Sequence, residues 1–242
     1  MSSSPVGPAG TSAAAPTAPD PRLMSETRAP RSAGVAGILF SVLFAGSLLM
    51  ASNRPPDGLS EAEFVAWYET NGLFSITIAA LYLAPFAGIA FLWFIGVIRD
   101  RIGAREDRFL STVFLGSGLL FVAMYWGAGA VLASLVAGNR FDAAPELNTR
   151  TLEVVRSLAF SFLFVLAARA AAVFMIVTST IARRTAVFPR LLILAGYAIA
   201  VVMLFSLSFL QWIVLLFPAW VLVASVYILA AEMRGRPAPP TS

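Results

Sequence analysis

Long runs of uncharged, mostly apolar residues alternate along the chain with short charged stretches. Five such runs cover residues 32–53, 70–98, 109–139, 157–182 and 191–231. Only Arg169 places a charge inside one of them. A helix needs about 20 apolar residues to cross the ~30 Å hydrocarbon core of a bilayer, so each run is long enough to span it. The pattern therefore predicts an all-α, polytopic transmembrane bundle.

The last run is long enough for two spans. As a single helix it would measure about 62 Å at 1.5 Å per residue, which is twice the core thickness. Its only clustered polar side chains, Ser206, Ser208 and Gln211, indicate a turn within residues 206–212. The six predicted spans are residues 33–51, 73–98, 110–136, 157–181, 190–208 and 212–231.

The arginines outside the spans predict the orientation of the bundle. One side of the membrane receives twelve of them: Arg22, Arg28, Arg31, Arg99, Arg101, Arg105, Arg108, Arg183, Arg184, Arg190, Arg234 and Arg236. The other side receives Arg54, Arg140, Arg150 and Arg156. Because cytoplasmic loops carry the excess of positive charge, both termini are predicted to be cytoplasmic. Residues 1–31 form a predicted disordered cytoplasmic tail rich in Ser, Pro and Ala, residues 32–232 the transmembrane domain, and residues 233–242 a second cytoplasmic tail.

The amino-acid composition excludes several classes of catalytic and metal-binding site. The chain is 12% charged, against about 25% in soluble domains. It has no Cys and no His, which excludes disulfides, catalytic triads, His or Cys haem ligation and the usual zinc sites. No paired carboxylates occur within a span, so the sequence predicts no catalytic residue, no enzyme activity, no metal and no cofactor. Its pI near 10.1 follows from the arginines of the cytoplasmic loops, so the predicted partner is the lipid bilayer and not nucleic acid.

The first outer loop predicts a short helix lying in the membrane interface. Ser60 and Glu63 have the spacing of a capping box. Phe64, Trp67 and Tyr68 follow on one helical face, where their rings would lie at headgroup level. Asn71-Gly72 then supplies a helix stop.

Arg169 is the candidate intramembrane site. It lies about 21 Å from the inner boundary, and a central Arg costs about 2.5 kcal/mol or more to insert. Pro85 and Pro218 kink the second and sixth spans near that level. Four side chains with polar groups share its depth: Tyr82, Tyr125, Trp126 and Ser206. Two hypotheses remain open, a structural Arg bonded to freed carbonyls and an Arg that binds an anion or a lipid headgroup.

Small residues at four-residue spacing mark the third span. Ala130, Ser134 and Gly138 allow another helix backbone to approach closely. They predict packing within the bundle, or contact with a second copy or a membrane partner protein.

The loop after the second span, Gly96 to Arg105, resembles the G-x-x-x-D-R-x-G-x-R loop of major facilitator transporters. That resemblance implies a cytoplasmic gate loop in which Asp100 and Arg101, with Arg105, pair charges. Those transporters have twelve spans, whereas this chain predicts six and shows no internal repeat. A tight loop that obeys the positive-inside bias is the alternative.

Three soft motifs are similar to a family of small six-span bacterial integral membrane proteins that remain uncharacterised. They are Ala36-Gly37-Ile38-Leu39, Trp67-Tyr68-Glu69 and Phe91-Leu92-Trp93-Phe94. The resemblance implies a multi-pass protein of the bacterial inner, or plasma, membrane and carries no activity. The leading hypothesis is a non-enzymatic structural or accessory protein, and the alternative is an anion or small-solute transporter subunit with Arg169 at its centre.

Overall fold

The computed structural model describes residues 29–102, 108–140, 148–185, 187–205 and 211–234, and all regular structure in these ranges is helical. The α-helices are α1 (Ala29–Ala51), α2 (Glu61–Trp67), α3 (Leu73–Ile76), α4 (Ala84–Ile102), α5 (Arg108–Arg140), α6 (Thr149–Phe160), α7 (Ala168–Thr185), α8 (Arg190–Phe205) and α9 (Leu216–Arg234). Wider π-helical segments join several of them without a break: Tyr68–Gly72 between α2 and α3, Thr77–Leu83 between α3 and α4, and Ser161–Ala167 between α6 and α7. A 3₁₀ turn, Gln211–Leu215, leads into α9.

Within the described ranges, five helices are long and apolar enough to cross a membrane, which confirms the all-helical fold and fits a transmembrane protein. They cover Ser32–Ala51, Glu61–Arg99, Arg108–Ala137, Thr149–Thr185 and Trp212–Ala231. The remaining apolar helix, α8, has 16 residues and therefore extends about 24 Å. Most of the predicted turn that follows it, residues 206–210, lies outside the described residues.

A cluster of six phenylalanines fills the centre of the bundle. All are 0% exposed, and they come from α1, α4, α5, α7 and α9: Phe40, Phe44, Phe91, Phe121, Phe174 and Phe217. Ring centroids lie 4.6 Å apart for Phe40 and Phe91 and 4.8 Å apart for Phe121 and Phe217, in the tilted and edge-on arrangements that aromatic rings prefer. Because lipid tails are as apolar as these side chains, close packing has to hold the helices together. This phenylalanine cluster provides it.

Two glycines let neighbouring helices approach one another closely. A Cβ atom on Gly37 of α1 would come 2.0 Å from Ser225 Oγ of α9 and 2.9 Å from the Phe94 ring. A Cβ on Gly196 of α8 would come 2.2 Å from Ser179 Oγ of α7. Both serine side chains are fully buried. At these two positions, a larger residue would force the neighbouring side chains to move.

The outward surface of the bundle is apolar along its length. Large hydrophobic side chains are more than a third exposed on every long helix; they include Leu39, Trp93, Phe109, Leu158 and Val223. A soluble monomer rarely exposes contiguous apolar surface of this extent, so hydrocarbon is its natural solvent.

The prediction that a short interfacial helix follows residue 60 is wrong about where this helix ends. The capping box is present, because Glu63 N–H donates to Ser60 Oγ and Ser60 N–H donates to Glu63. However, the helix continues through Gly72 into α3 with ordinary right-handed backbone angles. A Cβ at Gly72 would lie 2.4 Å from the Tyr68 ring, so this glycine makes room for the ring and does not stop the helix.

We expect Gly37→Ala to destabilise the bundle by about 1–3 kcal/mol, because the added methyl group overpacks the contact with Ser225 and Phe94. The matched control is Gly96→Ala in α4, where an added Cβ meets no atom within 4 Å. Thermal unfolding in detergent should show a lower melting temperature for the Gly37 variant only. Equal melting temperatures would contradict the close approach of α1 and α9.

Candidate functional site

Arg169 is bonded to its own helix. It lies in the first turn of α7, directly after the π-helical segment Ser161–Ala167. Helical side chains lean towards the N-terminus, so the long Arg side chain reaches the preceding turn. Its Nη1 donates to Val165 O at 2.8 Å and to Phe164 O at 3.3 Å.

The π-helical geometry explains this contact. The backbone N–H of Ala168 donates to Leu163 O, five residues back, so the Phe164 carbonyl loses its α-helical donor. In hydrocarbon such a carbonyl finds no water to bond. The Arg169 guanidinium supplies a replacement donor at 3.3 Å from within its own helix.

The structure places the two predicted tyrosines elsewhere. The Tyr125 hydroxyl is buried and lies 2.6 Å from Ser47 Oγ, which links α5 to α1. Tyr82 is 55% exposed, beside a groove of about 690 Å³ that Trp126, Ala130 and Ser134 also line. Neither hydroxyl bonds to Arg169 within the described part of the chain, and Ser206 lies outside it. A ligand-binding role for Arg169 stays a prediction.

The predicted gate loop falls largely outside the described residues. Asp100 and Arg101 belong to the last turn of α4, but only their backbone is described, and Arg105 lies beyond it. The charge pairing implied by the transporter resemblance therefore stays a prediction.

Arg156, predicted only as a loop charge, is the best-connected cation of the described chain. Its Nη1 donates to the Tyr68 hydroxyl at 2.5 Å, and its Nη2 donates to Ala51 O at 3.2 Å. Its guanidinium carbon also lies 5.9 Å from the centroid of the Tyr68 ring. Ala51 ends α1, where the last carbonyls of a helix lack intrahelical donors and the helix dipole favours a cation. Arg156 thus joins the end of α1 to the second and fourth long helices.

A small apolar cluster holds this junction in place. Tyr68 is 2% exposed, and Phe64 and Trp67 pack on its ring at centroid distances of 5.0 and 5.3 Å. Leu152, one turn before Arg156 on the same face of α6, is fully buried in the same cluster. In the sequence, the spacing of one helical turn between the apolar Leu152 and Arg156 is the one signal that Arg156 faces the interior of the protein. It does not reveal the partner, Tyr68, in the π-helical segment that follows α2.

A cavity of about 380 Å³ opens beside Arg156. Its polar lining consists of Ser52, Arg54, Arg156, Ser157 and Ser161. The rest of the lining is apolar and comes from α1, α5 and the fourth long helix. Two guanidinium groups without a lining carboxylate attract an anion. Elsewhere in the described ranges, no group of three or more carboxylates is placed to hold a metal ion.

We expect Tyr68→Phe to lower the stability of the protein by about 1–3 kcal/mol, because it keeps the ring but removes the acceptor of a half-buried, charged Arg156 N–H. Tyr82→Phe removes the same atom from an exposed side chain and is the matched control. Melting temperatures in detergent measure both. A Tyr68→Phe protein as stable as the control would show that the hydroxyl contact contributes nothing.

In comparisons with protein-family models, with curated proteins and with solved structures, no match to this chain is found. The likeness to small six-span bacterial membrane proteins stays a prediction from the sequence motifs.

Proposed function

We propose that the protein is a non-enzymatic, multi-pass component of the bacterial cell membrane with a structural or accessory role. The observation that carries this proposal is the phenylalanine cluster. Six fully buried rings from five helices occupy the centre of the bundle, where a solute pathway would need polar groups or water.

Arg169 supports the same role. Its guanidinium bonds to carbonyls of its own helix, and it does not line the Arg156 cavity. A transporter with Arg169 at its centre would need that guanidinium to face a hydrated path. The contacts of Arg169 are those of a group that stabilises the fourth long helix.

An accessory role implies contact with another membrane helix, from a second copy or from a partner protein. The groove between the second and third long helices suits such a contact, because Ala130 and Ser134 on its wall are small and exposed. Trp126 lies against Gly88 in this groove and donates to Ala84 O at 3.2 Å, so its walls are fixed.

We further propose six spans with both termini in the cytoplasm. The five long helices leave α8 as the sixth span, although its 16 residues extend only about 24 Å. A short span is accommodated by local thinning of the bilayer or by flanking residues that reach the interface. The arginine bias between the two sides supports the orientation.

We expect liposomes that contain the protein to take up chloride, phosphate or a small carboxylate no faster than empty liposomes. A fluorescent indicator inside the vesicles measures the flux. Protein-dependent flux that Arg169→Leu abolishes, and that the exposed control Arg183→Leu on the same helix preserves, would instead establish the transporter alternative.

We expect green fluorescent protein to fluoresce when fused after residue 187 and after residue 242 in a bacterial host. Both positions are cytoplasmic if α8 crosses the membrane. Alkaline phosphatase activity in the fusion at residue 242, with fluorescence retained at residue 187, would reduce the bundle to five spans.

A further inference from the structure

We propose that the Arg156 cavity binds the phosphate group of a phospholipid, with part of an acyl chain lying along its apolar wall. This site goes beyond the structural role proposed above and does not depend on it. The ligand class follows from three features of the cavity: its cations, its free hydroxyl groups and its apolar wall.

Two arginines line the cavity, and its lining contains no acidic side chain to balance their charge. Arg54 is exposed, lines the cavity and makes no ion pair with any described residue. Arg156 uses two of its five N–H groups for Tyr68 and Ala51. Glu153 is exposed on the preceding turn of α6 and is not part of the lining. Two guanidinium groups facing one cavity repel each other unless an anion lies between them, and guanidinium matches phosphate oxygens in geometry.

The hydroxyl groups add donors at the same place. Ser161 Oγ donates to Ser157 O at 3.0 Å and is occupied. The hydroxyls of Ser52 and Ser157 also line the cavity and bond to no other described residue. Serine hydroxyls and guanidinium N–H groups are the donors with which proteins bind phosphate oxygens.

The apolar wall favours a lipid over free phosphate. It is formed by Leu48, Ala128, Leu132, Phe160, Leu163 and Phe164. The rings of Phe160 and Phe164 stack with centroids 4.5 Å apart and give this wall a flat surface. The cavity of about 380 Å³ would hold about a dozen water molecules at ~30 Å³ each, which is more space than a phosphate group fills. An acyl chain beneath a phosphate matches both halves of the lining.

A substitution of Arg156 alone cannot test this site. Its bonds to Tyr68 and Ala51 hold the fold, so substituting it could unfold the protein. Arg54 has no such partner among the described residues, so Arg54→Gln removes one charge from the cavity and leaves the junction intact. Arg150→Gln is the matched control, because Arg150 is exposed on the same helix as Arg156 and does not line the cavity.

The test uses the purified full-length protein in a neutral detergent. Native mass spectrometry measures binding of dioleoyl phosphatidylglycerol, of dioleoylglycerol, which lacks the phosphate, and of glycerol 1-phosphate, which lacks the acyl chains. We expect phosphatidylglycerol to bind most tightly. Loss of a charged hydrogen bond should weaken it roughly tenfold in Arg54→Gln and leave it unchanged in Arg150→Gln.

Three outcomes would overturn the proposal. Dioleoylglycerol that binds as tightly as phosphatidylglycerol would show that the phosphate is not recognised. Glycerol 1-phosphate that binds as tightly would assign the cavity to a soluble phosphate ester. Wild-type affinity in Arg54→Gln, with the variant folded by gel filtration and circular dichroism, would place the lipid elsewhere on the bundle.

Discussion

A backbone carbonyl inside a bilayer has to find its hydrogen-bond donor within the protein, because hydrocarbon offers none. Both arginines that the structure places among apolar side chains follow from this requirement. Arg169 donates to two carbonyls beside a π-helical segment, and Arg156 donates to the last carbonyl of α1. In each case the position of the cation is set by an irregularity of the backbone, a widened turn or a helix end. The cost of inserting a guanidinium is thereby offset where the helix needs a donor.

Neutral side chains make the same kind of contact between helices. Ser41 Oγ on α1 lies 2.9 Å from Pro218 O on α9, and Trp220 of α9 donates to Leu192 O of α8 at 3.2 Å. Such bonds are directional, whereas the packing of the phenylalanine cluster is not. The cluster brings five helices together. The side-chain bonds to carbonyls then fix the rotation of each helix about its axis and its position along that axis.

The features predicted from the sequence are those that depend on neighbours along the chain. The long apolar runs became helices, and Ser60 and Glu63 formed their capping box, because each involves residues within one or two turns. The grouping of Tyr82 and Tyr125 around Arg169 relied on equal depth in the membrane. Depth does not determine rotation about a helix axis, and the structure turns Tyr82 outward and Tyr125 towards Ser47. The contact of Arg156 with Tyr68 joins residues on two different helices, so no local pattern could predict it.

The two arginine environments also indicate where this protein can interact with other molecules. At the middle of the bundle the guanidinium of Arg169 faces its own helix, and the space between the helices is filled by aromatic rings. At the end of α1 the helices separate around a cavity, and there Arg54 and Arg156 keep donors that bond to no described residue. Apolar packing stabilises helices only where it is complete, so a bundle built this way has little room to bind polar ligands at its centre. Its polar chemistry is therefore concentrated at the helix ends, where a cation can bond both to a carbonyl of the protein and to an anion from outside.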